Sequence, residues 1–242
     1  MIRAKYTYML LAATLLAGGL GAAAAQGVAT DVATYDPSQL PAIQGKVAQY
    51  SLTPRGDVDG LILTDGTEVH LPPHLGTQLV YSVKPGDAVT IHGLKARAIS
   101  MVQAMSVKND ASGATVTDNG AGGPPGPRGM QQDLSATGQI KEQLHGPRGD
   151  LNGVLLSDGT IVRMPPPEAQ RLASTLTTGA SLTVQGNGFE GPLGRVIEAR
   201  QIGPDAAHLT PVAAPERPMW MHGHRPPPPP PGGPDAPPPA PR

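Results

Sequence analysis

An all-β chain built from two tandem five-stranded barrels, each with one short helix, is the fold class this sequence predicts. Three observations carry it. The segment from Thr53 to Pro73 (Thr-Pro-Arg-Gly-Asp-Val-Asp-Gly-Leu-Ile-Leu-Thr-Asp-Gly-Thr-Glu-Val-His-Leu-Pro-Pro) returns from Gly146 to Pro166. The offset of 93 holds without a gap from Gly45/Gly138 to Gly93/Gly186, with 17 identities in 49 pairs. A repeat of that period sets the domain organisation before any local argument. Each copy contains Asp-Gly between short apolar runs, at Asp65-Gly66 and Asp158-Gly159, the strongest short-range hairpin signal because both turn positions tolerate positive φ.

The elements of each copy follow in order. Residues 43–47 and 137–140 alternate as first strands, and a turn-rich loop follows from Thr53 to Asp59. Residues 60–64 and 67–71 form the hairpin around Asp65-Gly66, with Val69 and Leu71 on one face and Glu68 and His70 on the other. Repeat two obeys the same rule with Val162 and Met164. Pro72-Pro73 ends the strand, since proline cannot donate to a ladder. Leu75, Leu79 and Val83 recur every four residues and predict a helix, which Leu172 and Leu176 echo in repeat two. Val89 and Ile91, with Leu182 and Val184, begin a fourth strand; residues 99–107 and 196–202 give the fifth. Three strands, a helix and two strands in about 65 residues is the order of an OB-fold barrel; an SH3-like or open five-stranded barrel is the rival. Domains this small are marginal alone, so the barrels are expected to pack on each other or on a partner.

The expected domains are a signal peptide (1–25), an N-terminal arm (26–41), OB-fold-like repeat 1 (42–109), a Gly/Pro linker (110–134), OB-fold-like repeat 2 (135–204) and a disordered Pro-rich tail (205–242). Arg3 and Lys5, the apolar run from Met9 to Leu20 and Ala23-Ala24-Ala25 supply the three parts of a secretory signal. The reading is therefore a periplasmic or secreted protein with no stable membrane insertion once the signal is removed. Gly 31 and Pro 29 make up about a quarter of the 242 residues, and their clustering marks the linker and tail. The absence of Cys excludes disulfides, Cys-ligated metals and thiol catalysis.

The stretch Pro54-Arg-Gly-Asp-Val-Asp-Gly60 through Leu63-Thr-Asp-Gly-Thr67 to Val69-His-Leu-Pro-Pro-His-Leu75 resembles a group of exported, largely uncharacterised proteobacterial tandem-repeat proteins. More broadly it resembles the periplasmic bacterial OB-fold group. The resemblance spans the two repeats and neither terminus, and it implies binding of small ligands, such as cations or basic compounds, or of other proteins. It transfers no binding residues.

The residues single out several candidates. Pro, Gly and Asp of the Pro-Arg-Gly-Asp loops are turn residues, but Arg55 and Arg148 are not demanded by any turn. They read either as contacts to an anionic or polar ligand at the barrel rim, or as Arg–Asp pairs or stacking over the barrel end. Lys95 and Arg97 in repeat one, and Phe189 and Arg195 in repeat two, occupy the loop that an OB-fold places beside these arginines. His70 and Arg163 extend this weakly basic rim along the polar strand face. Six bases against five acids in repeat one, and a net charge of −1, argue against nucleic acid as the partner. Few aromatics remain outside the signal to stack bases. His222 and His224, beside Met219, Trp220 and Met221, are the candidate copper or nickel ligands. No catalytic or cofactor motif is present. The resulting expectation is an exported, non-enzymatic module that binds a small polar ligand or an envelope protein through the barrel rims. The alternative is a metal-handling or structural envelope protein using the His/Met/Pro-rich tail.

Overall fold

A computed structural model describes residues 36–120 and 130–214. The signal, most of the arm, the centre of the linker, and His222 and His224 lie outside the described residues. Repeat 1 runs β1 (Ala42–Leu52), β2 (Val58–Leu63), β3 (Glu68–His70), α1 (Gly76–Ser82), β4 (Ala88–Lys95), β5 (Met101–Asn109) and β6 (Thr115–Thr117). Repeat 2 runs β7 (Gln132–His145), β8 (Leu151–Leu156), β9 (Ile161–Arg163), α2 (Pro166–Arg171), β10 (Ser181–Gly191), β11 (Gly194–Gly203) and β12 (Thr210–Pro211).

Each repeat is a closed barrel. In the first, β1 pairs antiparallel with β2 and β4, β2 with β3, and β4 with β5; β3 then pairs parallel with β5 to close the ring. The second repeats this circuit through β7, β8, β9, β11 and β10. This is the OB-fold strand order, with the helix between the third and fourth strands. The first strand of each barrel serves two neighbours by bending at irregularities, between Val47 and Gln49 in β1 and between Ile140 and Glu142 in β7.

The hairpin grammar is realised in both copies. Gly66 and Gly159 have φ of 84° and 88°, and Asp65 and Asp158 accept from the backbone N–H of Thr67 and Thr160 at 3.0 and 2.9 Å. Helix α1 stops at Ser82, and Leu79 and Val83 are fully buried. A Cβ on Gly76 would sit 2.3 Å from the Val58 carbonyl oxygen, so this glycine lets the helix press onto β2. In repeat 2 the helix is shorter than its leucine spacing suggests, because the chain turns after Arg171. Leu172 and Leu176 are buried from that turn instead.

Two edge strands arise from segments that composition assigns to linker and tail. Asn109 Oδ1 accepts from the N–H groups of Ala111 and Ser112, and Gly113 has φ of 74°. That small turn brings β6 back along β5 and buries Val116. In the same way β12 pairs with β11, and the next residue, Val212, is buried. Gly and Ser here are the chemistry of a turn rather than of a loose linker.

Candidate functional site

The site lies where the barrels meet. Strand β8 reads Val154-Leu155-Leu156 with no polar alternation, and all three are buried. Val154 and Leu156 fill the second barrel's own core, whereas Leu155, with Leu144, Ile161 and Val196, joins the apolar cluster of the first barrel. The outer face of repeat 2 is thus packed on repeat 1, and the barrels share one apolar interface.

The contacts across it obey the repeat. Residues 49 and 142 are equivalent, as are Gly66 and Gly159. A Cβ on Gly66 would sit 3.0 Å from the Glu142 carboxylate, and one on Gly159 would sit 3.3 Å from the Gln49 amide. Gly56 and Gly149, also equivalent, face the opposite barrel's fourth-to-fifth strand hairpin, through Phe189 on β10 and Ile99 between β4 and β5. Gly56 abuts the Phe189 ring, 2.8 Å from where a Cβ would be, and Gly149 abuts Ile99 at 3.5 Å. These reciprocal pairs are the signature of an isologous, two-fold-like contact. The repeated glycines therefore serve as docking points as well as turns.

Two charged residues are enclosed by this arrangement. Glu68, only 6 % exposed, receives the backbone N–H of His145 at 2.9 Å, while His145 Nδ1 lies 2.8 Å from its other oxygen and His70 Nε2 lies at 3.8 Å. Burial pushes the Glu68 carboxyl up, but the hydrogen bonds from His145, with the His70 ring nearby, outweigh it and hold the group below its ordinary range. Arg163, only 4 % exposed, donates from Nε to the Leu52 carbonyl (3.2 Å), from Nη2 to Ser51 Oγ (2.8 Å) and from Nη1 to Asn152 Oδ1 (2.7 Å). All three acceptors are neutral.

The sequence places His70 and Arg163 on a polar, outward strand face. The structure buries both, because that face is covered by the other barrel. Phe189 is likewise half-buried, against Gly56. Arg195 sits in the β10–β11 hairpin, with Nε 3.4 Å from Glu190 and Nη2 donating to the Ser135 carbonyl at 2.7 Å. Arg55, Arg148, Lys95 and Arg97 are exposed, and among the described residues none of their side chains has an ion pair or hydrogen bond. The Arg–Asp pair envisaged for the Pro-Arg-Gly-Asp loops does not form: backbone bonds close the loops instead, Gly56 N–H to Thr53 O and Gly149 N–H to Gly146 O. The loop carrying Lys95 and Arg97 reaches, through Ile99, to the Arg148 loop of the other barrel.

Between the barrels lies a cleft of about 300 Å³. Thr53, Pro54 and Asp59 line it from repeat 1, and Asn152, Arg163 and Glu198 from repeat 2. Met164 and Pro165 give it an apolar wall. Asp59 and Asn152 are equivalent positions, so they meet near the pseudo-axis. Asp59 Oδ1 is sealed from solvent and accepts no hydrogen bond. The sister position explains why. Arg163 is long enough to reach Asn152, whereas its counterpart His70 is shorter, bonds neither oxygen of Asp59, and lies against Glu68. Sequence reasoning missed Glu68, His145, Asp59 and Glu198. The available signal was divergence inside the repeat: Glu68 stands opposite Ile161, and Glu198, which pairs in register with Arg163, stands where repeat 1 has Gln103 in register with His70.

Glu142 carries a testable consequence of this burial. Its Oε2 is sealed without a partner, and burial first, with Glu68 and Asp65 adding to it against Lys141, pushes its carboxyl above the usual range. A raised carboxyl contributes stability below the ordinary carboxylate pKa and loses it as pH rises through the raised value. Glu142→Gln is therefore expected to melt roughly 1–2 °C above wild type at pH 7, and level with it at pH 4. Thermal unfolding at the two pH values checks this.

Among the described residues no group of three or more His, Asp or Glu side chains is arranged to hold a metal ion, and no helix is long and apolar enough to cross a membrane. No protein-family model, curated protein or solved structure matches this chain.

Proposed function

We propose that this chain is an exported, non-enzymatic binding module that holds a small polar ligand in the cleft between its barrels. The observation that carries this reading is Arg163: a buried guanidinium, hydrogen-bonded to neutral groups only, at the wall of a cleft that the carboxylate residues Asp59 and Glu198 also line. Buried charge is costly without an opposite partner, and a concave site with a few convergent polar groups on an apolar wall is the common form of a ligand pocket. The lip of the cleft is the Pro-Arg-Gly-Asp loop of repeat 1, so the reading keeps the barrel rim as the recognition surface.

The test is a thermal-shift screen of small polar compounds on the whole chain. A binder at one hundred times its dissociation constant adds about 2.7 kcal/mol to unfolding, an upward shift that is easily read. Thr53→Trp, which plugs the cleft, is expected to abolish the shift, while the double variant Arg55→Ala, Arg148→Ala leaves it. The reverse pattern would move the ligand to the outer loop rims and refute the cleft.

A further inference from the structure

The residues that line the cleft are not all duplicated, although the chain is, and the unshared ones say what it would hold. At the equivalent positions repeat 1 carries His70 where repeat 2 carries Arg163, and Gln103 where repeat 2 carries Glu198. Both charges unmatched in repeat 1 thus line one cleft, together with Asp59, the charged member of the Asp59/Asn152 pair.

Three facts then constrain a ligand. A guanidinium has five N–H donors, and three of those on Arg163 are committed. Asp59 and Glu198 both line the cleft, and among the described residues neither has an ion-pair partner. The volume of about 300 Å³ is some ten times the share of one water molecule in the liquid, about 30 Å³. A ligand of about ten non-hydrogen atoms or fewer fits. It needs a cationic donor for the carboxylate end and an acceptor for the guanidinium end.

We propose that the cleft takes one small zwitterion per chain, with its ammonium group toward Asp59 and Glu198 and its carboxylate toward Arg163. This inference rests on the cleft being the binding site. A cation alone would leave Arg163 facing only neutral acceptors, and an anion alone would be repelled by two carboxylates. A two-ended ligand answers both ends at once, and it rejects one-ended analogues because each leaves a buried group unpaired.

The test is calorimetric titration of the full chain with glycine, β-alanine and 4-aminobutanoate, zwitterions of increasing span, and with butylamine and butanoate as one-ended controls. The expected result is one-to-one binding of at least one zwitterion, at least tenfold tighter than either control. Asp59→Asn and Glu198→Gln introduce the residue types already present at Asn152 and Gln103, so both are expected to fold. Each is expected to weaken the zwitterion at least tenfold and leave butanoate no weaker. If butylamine matches the best zwitterion, or if no probe binds, the zwitterion inference is overturned; the cleft reading then stands only if the thermal-shift screen finds a compound whose shift Thr53→Trp abolishes, and falls otherwise. If a zwitterion binds and neither variant changes its affinity, it binds elsewhere and both readings fall.

Discussion

Replacing Glu68 by Gln is expected to lower the unfolding free energy by about 2–3 kcal/mol at pH 7, although the side chain keeps its shape. Two effects oppose each other. Removing a buried charge relieves its desolvation, which favours the variant. Against this, a hydrogen bond to a charged group contributes about 1.5–3 kcal/mol, and Glu68 accepts from His145 through both its backbone and its ring. The glutamine amide also turns N–H toward donors that it must then face. Because Glu68 is held below its ordinary carboxyl range, hydrogen bonding already outweighs desolvation in the native state, and the charged form is the one the fold prefers. The sign with pH follows. A lowered carboxyl contributes stability that is present above the unfolded value, near pH 4.3, and is lost as pH falls through the folded value. Wild type therefore loses this stabilisation on acidification, and the variant, lacking the carboxylate, does not. Urea unfolding at pH 7 and at pH 3 measures both differences. A Glu68→Gln midpoint equal to that of wild type at pH 7 would show that this contact does not hold the barrels together.

The fold was largely legible because it is written in local terms. Asp-Gly demands a hairpin turn, Pro72-Pro73 stops a strand, and the repeat supplies each signal twice. What sequence reasoning missed lies across the interface. Glu68 and His70 alternate with Val69 as an exposed polar face would, and only the other barrel makes that face interior. One clue was present: Leu61-Ile62-Leu63 and Val154-Leu155-Leu156 lack the alternation of a strand with one wet face, as expected when both faces are covered. Asp59 was unreadable for a different reason. As a residue just after a Pro-Arg-Gly-Asp turn it looks like turn chemistry, and its place in the cleft depends on residues of the other repeat, from Asn152 to Glu198. Arg55 and Arg148 drew attention through identity between copies, and in the structure both are exposed. The enclosed charges Glu68 and Arg163, and the half-buried Glu198, lie where the copies differ, since a two-fold duplication preserves what both barrels need and leaves the rest free to specialise.

Leu155→Ala is expected to cost about 2–5 kcal/mol, the range for emptying a fully buried leucine site, and to weaken both barrels equally. Leu155 is 1 % exposed, belongs by sequence to repeat 2, and packs in the apolar cluster of repeat 1. A barrel of this size buries about 60 % of its unfolded surface and is marginal alone, so the shared interface supplies stability that neither barrel has by itself. The two should then unfold in one cooperative transition. Methyl resonances of Ile91 in the first core and Ile202 in the second would report this, disappearing at the same urea concentration in wild type and moving down together in the variant. If Ile202 moved and Ile91 did not, the barrels would be independent domains in contact. The distinction bears on the proposed function, because Thr53 and Asp59 come from one barrel and Arg163 and Glu198 from the other. A ligand that bridges them binds only the docked pair, so it must raise the stability of both barrels through the same interface that Leu155 fills.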